Sequence, residues 1–159
     1  MLLKDLESEE MSTRKFLERI PESLFGYKPH EKSMILGYLT SLVAEIPRWV
    51  SVMIEVGEIN FATWEKFSPA TTADVVKRFD ENMAGAKKAL ANATDEDLEN
   101  NMFYLKMGEQ ELMKSPKLES ISSTLRHWAH HRGQLTVYMR LNDIAVPSIY
   151  GPSADDKNF

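Results

Sequence analysis

The chain predicts an all-α fold, a four-helix bundle with crossover connections. Three observations carry this. Four segments place apolar residues at alternating spacings of three and four, long polar connections separate them, and 159 residues at 43% apolar composition make one domain, residues 1–159, with enough core to fold without disulfides or a structural metal.

The first helix is expected from Leu2 to Ile20, with Leu6, Phe16, Leu17 and Ile20 buried and Pro21 as its stop. The second follows "GYKPHEKS", with Ser33 as N-cap and the stripe Leu36, Leu39, Val43, Ile46, Val50 and Met53. Pro47 falls inside that stripe; it removes one backbone hydrogen bond, so a bent helix is expected there rather than two helices. The third stripe is Val76, Phe79, Met83, Ala86 and Leu90, capped by Thr71 or Thr72 with Asp74 in the first turn. In the connection that follows, Thr94 and Asp97 resemble a capping box, and "FYLKMGEQELM" reads as a small hairpin turning at Gly108. The last helix carries Leu118, Ile121, Leu125, Trp128, Leu135 and Met139, with Arg132 at an inward position. Pro147, Gly151 and Pro152 end helical structure, and the tail is expected extended on the bundle with Ile149 and Tyr150 as anchors.

Composition narrows the chemistry. With no cysteine, thiolate metal sites, cysteine nucleophiles and dithiol redox chemistry drop out, which suits a reducing compartment. A net charge of -5 without a basic run argues against nucleic acid as a partner, since phosphate binding needs a basic face. Acidic residues Asp5, Glu7, Glu9 and Glu10 replace the apolar run of a signal peptide, and nothing approaches the ~20 apolar residues of a membrane span. A cytoplasmic protein with no membrane partner is the expectation.

Three of the four histidines fall within "STLRHWAHHRGQLTVYMRLN". His127 and His131 stand four apart, so they project side by side from one helix flank at the border of the apolar stripe. That pair suits either a divalent metal completed from a facing helix, or a hydrogen-bonded pair beside a pocket. Arg132 reads either as an orienter of an anionic group or as the partner of an acid such as Glu45 or Glu18 inside the bundle. Gly133, costly in a helix interior, suggests close helix approach or dimer packing.

The stretch "HWAHHRGQLTVYMRLNDIAVPSIYGPSADD", with "FLERIPE", "KPHEKSM" and "LVAEIPRW" upstream, resembles the DinB-like (damage-inducible, YfiT-like) proteins over most of the chain. The resemblance implies a four-helix bundle with crossovers, often a homodimer. It also implies a divalent metal, commonly nickel or zinc, held by three histidines. Two of these map onto His127 and His131. The third, in the second helix directly before "VAE", is Leu42 here, which cannot ligate and weakens the site. Glu45, three residues on and on the same helix flank as Tyr38 and Trp49, is the candidate substitute, whereas His30 lies in the preceding loop. Tyr38, Leu42, Glu45, Trp49 and Tyr138 are the expected pocket residues. The functional expectation is a pocket between the second and last helices taking a small molecule beside an altered metal site. The alternatives are a metal-dependent thiol transferase or related hydrolase or isomerase, and a stress-related module that binds another protein.

Overall fold

A computed structural model describes residues 1–157; the last two residues of the tail, Asn158 and Phe159, lie outside the described residues. The elements are α1 (Leu2–Arg19), α2 (Leu36–Glu55), β1 (Glu58–Asn60), α3 (Thr72–Asn92), α4 (Asp95–Asn100), β2 (Met102–Met107), β3 (Gln110–Pro116) and α5 (Lys117–Arg140). The four long helices pack in a ring in which α1 and α2 each contact both α3 and α5. The chain is mostly helical but not all-α, because the described residues include a three-stranded sheet in the order β1-β2-β3.

Local chemistry sets most helix ends. Thr71 accepts from the Asp74 amide while Asp74 accepts from the Thr71 amide, a closed capping box, and the Thr94 hydroxyl accepts from Asp97 N. α2 departs from expectation: it begins at Leu36 with no side-chain cap, so Ser33 is not its N-cap. Backbone carbonyls take that role, because Leu36 N donates to Tyr27 O at 2.7 Å and Gly37 N to Phe25 O at 2.8 Å. A Cβ on Gly37 would meet the Phe25 side chain at 2.8 Å, which is why glycine stands at this crossing. The expected stripes of α1 and α2 are buried throughout, and in α3 Val75 takes the fully buried place assigned to Val76.

α2 continues through Pro47 as one helix. Proline leaves the Val43 carbonyl without its usual donor four residues on. The Trp128 indole fills that vacancy, donating from Nε1 to Val43 O at 2.9 Å, and Asn82 Nδ2 donates to the neighbouring Ala44 O at 2.9 Å. A defect in one helix thereby becomes a bond to two others.

Arg132 is buried, and the structural reading of it holds, although its acid is Glu9 rather than Glu45 or Glu18. Its Nη1 donates to Thr13 Oγ1 at 2.8 Å and Ser12 Oγ at 3.1 Å, and its Nη2 donates to the Tyr150 hydroxyl at 2.9 Å. Tyr150 in turn donates to Glu9 Oε1 at 2.9 Å, so the tail is fastened to α1 and α5 through one buried cation. Asp155 adds a second fastening, accepting from Arg140 Nη2 at 2.6 Å and Val146 N at 2.9 Å.

Candidate functional site

α2 and α5 run antiparallel, with Met53 meeting Thr124, Trp49 meeting His127, and Tyr138 reaching Met34 just ahead of α2. The sheet closes one end of the groove between them. The result is a cavity of about 390 Å³ with Trp49 and Met53 on the α2 side and Ser120, Ser123, Thr124 and His127 on the α5 side. Its remaining walls come from the sheet and its flanks: Ile59, Phe61, Phe103, Leu105 and Met113. None of these residues is charged.

His127, at its edge, meets His131. Their Nε2 atoms are 2.6 Å apart, and His131 Nδ1 lies 2.7 Å from Gln134 Oε1. A carboxamide oxygen only accepts, so His131 Nδ1 carries its proton, His131 Nε2 presents a lone pair, and His127 Nε2–H donates to it. Burial lowers the pKa of both rings, aided at His127 by its neighbours His131 and His130 and opposed at His131 by the bond to Gln134. Both imidazoles are therefore neutral at pH 7. The Trp49 ring lies against His127 with centroids 5.7 Å apart, and Phe61 meets Trp49 edge-on at 6.5 Å.

A family model described as the DinB family matches residues 1–158. The chain belongs to the DinB family. Two solved DinB-like proteins share its fold: one from Bacillus subtilis (YjoA), at a TM-score of 0.70 and 21% identity over 89% of this chain and 92% of that one, and one from Bacillus cereus ATCC 10987, at 0.67 and 20% identity over 94% and 95%. An uncharacterized protein of Bacillus subtilis strain 168, YrdA, is 35% identical over 63 residues, which span 40% of this chain and about a third (34%) of that protein.

Against the ligand set expected for a DinB protein, the donors here do not fit a resident metal. Leu42 is partly buried against the core, and the antiparallel register puts it level with the His131 turn, where it offers no donor. Glu45 is engaged elsewhere. It is buried, with Arg78 Nε at 2.5 Å and Asn82 Nδ2 at 3.1 Å from α3 and Arg48 Nη1 at 3.7 Å within α2. His30 is exposed and accepts from the Lys32 amide. Among the described residues no three His, Cys, Asp or Glu side chains gather as a metal-binding group. Two nitrogens sharing one tetrahedral zinc also stand ~3.3 Å apart, given Zn–N bonds of ~2.0–2.1 Å, so the 2.6 Å pair is spaced as a hydrogen bond.

The other expected pocket residues of this DinB chain divide. Trp49 is a wall of the cavity, but Tyr38 is exposed on a separate hollow with Phe25, Ile35 and Phe67. Tyr138 is spent on the core, its hydroxyl donating to Met34 O at 2.9 Å and its ring meeting Tyr27 edge-on. Gly133 has open space where a Cβ would stand, so close helix approach within the chain does not explain it. The sheet residues of the wall were not foreseen, although Phe103 with Leu105 and Ile59 with Phe61 each show the two-residue spacing of one strand face.

Proposed function

We propose that this DinB-family chain is a cytoplasmic homodimer that binds a small, mainly apolar molecule in the cavity beside His127, on a four-helix bundle with crossover connections. The nickel or zinc site that the family resemblance implies is reduced in it to two mutually hydrogen-bonded imidazoles. The observation that carries this reading is the cavity itself, about 390 Å³ with aromatic and aliphatic walls and one imidazole at its edge, within the usual range of ligand sites. Dimerisation is supported by Val137 and Leu141, which stand 56% and 57% exposed on the outer side of α5. The ring arrangement of the long helices supports the bundle with crossovers, since the segments leading from α1 to α2 and from α3 to α5 join helices that are not principal neighbours.

The test is fluorescence titration with N-phenyl-1-naphthylamine, an uncharged probe. Saturable binding is expected in wild type, weakened at least about tenfold by Ser123→Trp, which fills the cavity from its exposed rim without changing the melting temperature. Equal binding by the two proteins would reject the cavity as the binding site.

A further inference from the structure

α5 carries two stripes. Ile121, Trp128, Leu135 and Met139 face the core. On the outer flank His127, His130, Gln134, Val137 and the C-cap Leu141 follow one another at alternating spacings of three and four, all exposed except the half-buried Gln134. Five outward positions at the a and d spacing of a coiled coil, none of them Asp, Glu, Lys or Arg on a chain that is 27% charged, have the composition of a helix–helix seam. Gly133 adjoins the middle of that seam. Glycine is costly in a helix interior, and nothing in the chain lies within 4 Å of where its Cβ would stand. A second helix laid on this flank gives it a use, because a missing side chain lets two backbones approach closely.

Length and charge both suit a second copy of this chain. At 1.5 Å per residue the seam from His127 to Leu141 is about 21 Å long, within the roughly 30 Å breadth of an interface of about 800 Å² per copy. Two copies can lay their seams together in either direction. Parallel pairing sets Arg126 against Arg126, an exposed residue with no ion pair among the described residues. Antiparallel pairing brings Arg126 level with the far end of the other α5, beside the negative end of the helix dipole, where Asp143 and Asp155 outnumber Arg140.

Resting on the homodimer and pocket readings above, we infer that two copies pair antiparallel through the outer flank of α5, with the two-fold axis near Gln134. Leu141 of each copy then lies over His127 of the other, so the dimer closes the edge of both cavities. The binding site is complete only in the pair.

The chain has no cysteine, so an introduced one is its only thiol. Gln134→Cys, His127→Cys and Leu141→Cys are each treated with the short thiol cross-linker bismaleimidoethane at micromolar concentration. Gln134→Cys should give a covalent dimer. His127→Cys and Leu141→Cys should not when alone, because like positions stand about 21 Å apart across the axis, but should cross-link to each other after subunit exchange. Cross-linking of all three alone would mean parallel pairing, and cross-linking of none in a protein that sediments as a dimer would mean another face. Either result overturns the inference and leaves the homodimer standing, whereas a wild type that sediments as a monomer rejects the homodimer itself. Closure of the site is read separately: N-phenyl-1-naphthylamine should bind the wild-type dimer at least about fivefold tighter than the monomer made by Val137→Lys with Leu141→Lys. Equal affinities would overturn closure, and no saturable binding to wild type would reject the pocket reading.

Discussion

At the scale of single residues, the imidazole pair is the most informative feature, because its geometry assigns every proton. His127 donates to His131 and His131 donates to Gln134, an arrangement that needs the His131 ring neutral. A first proton can settle on the free Nδ1 of His127, but a second would set two N–H groups against each other across 2.6 Å. Both folded-state pKa values are depressed, chiefly by burial, while the unfolded rings titrate near about 6.5. Between those limits the unfolded state binds more protons, so stability is full above about pH 6.5 and declines as the pH falls below it. Asp74, Asp97 and Asp155 also have lowered pKa values, from their hydrogen bonds, but their losses begin only at lower pH, near about 4. The urea midpoint of wild type should therefore drop between pH 6.5 and 5, and it should drop less in His131→Gln. Identical pH profiles for the two proteins would show that the pair is not held neutral by the fold.

At the scale of elements, α2 persists through Pro47 because α5 supplies the donor that proline lacks. Trp128→Phe leaves the Val43 carbonyl unpaired in the core, a loss of about 1–3 kcal/mol on top of any packing change. In a Pro47→Ala background the new amide at position 47 can reach Val43 O, so the same substitution should cost about 1 kcal/mol less there. A double-mutant cycle by urea denaturation measures this; a coupling energy of zero would mean that the indole bond does not compensate the proline. Elements whose cause is local were legible in the sequence. Thr71 with Asp74 and Thr94 with Asp97 cap their helices, and Gly108, at φ 61°, turns the hairpin. Elements whose cause is distant were not. The start of α2 is set by carbonyls of Phe25 and Tyr27 rather than by Ser33. β1 is only three residues long and exists because β2 pairs with it in parallel and the Asn60 side chain holds both the amide and the carbonyl of Gly108.

At the scale of the whole molecule, the most distinctive residues of the C-terminal signature divide between fold and site. Arg132, Tyr150 and Asp155 fasten the tail to the helices, while His127 borders the cavity with His131 bonded to it. The histidine pair was legible from its spacing and the β2–β3 hairpin from its turn at Gly108, but their meeting around one cavity was not, since it depends on chain crossings that no local pattern records. The outer face of α5 carries a quaternary prediction: sedimentation at micromolar concentration should give a dimer, and Val137→Lys with Leu141→Lys should give the 18.2 kDa monomer with an unchanged fold. A wild-type monomer would reject the proposed pair. The metal question rests on the antiparallel register. Trp49 faces His127 and Met34 faces Tyr138, so Leu42 falls level with the His131 turn, and Leu42→His would bring a third imidazole to the pair. Binding would also require the 2.6 Å bond to open to the ~3.3 Å of shared coordination, an adjustment within the reach of two rotamers on one helix face. Calorimetric titration of zinc and nickel should give weak binding in wild type and a gain of about two or more orders of magnitude in Leu42→His, abolished again by adding His131→Ala. Equal affinities in all three proteins would show that position 42 does not face the pair. Tight binding in wild type, lost in Glu45→Gln, would mean that Glu45 leaves Arg78 to ligate, and would favour a metal-dependent transferase over the pocket reading.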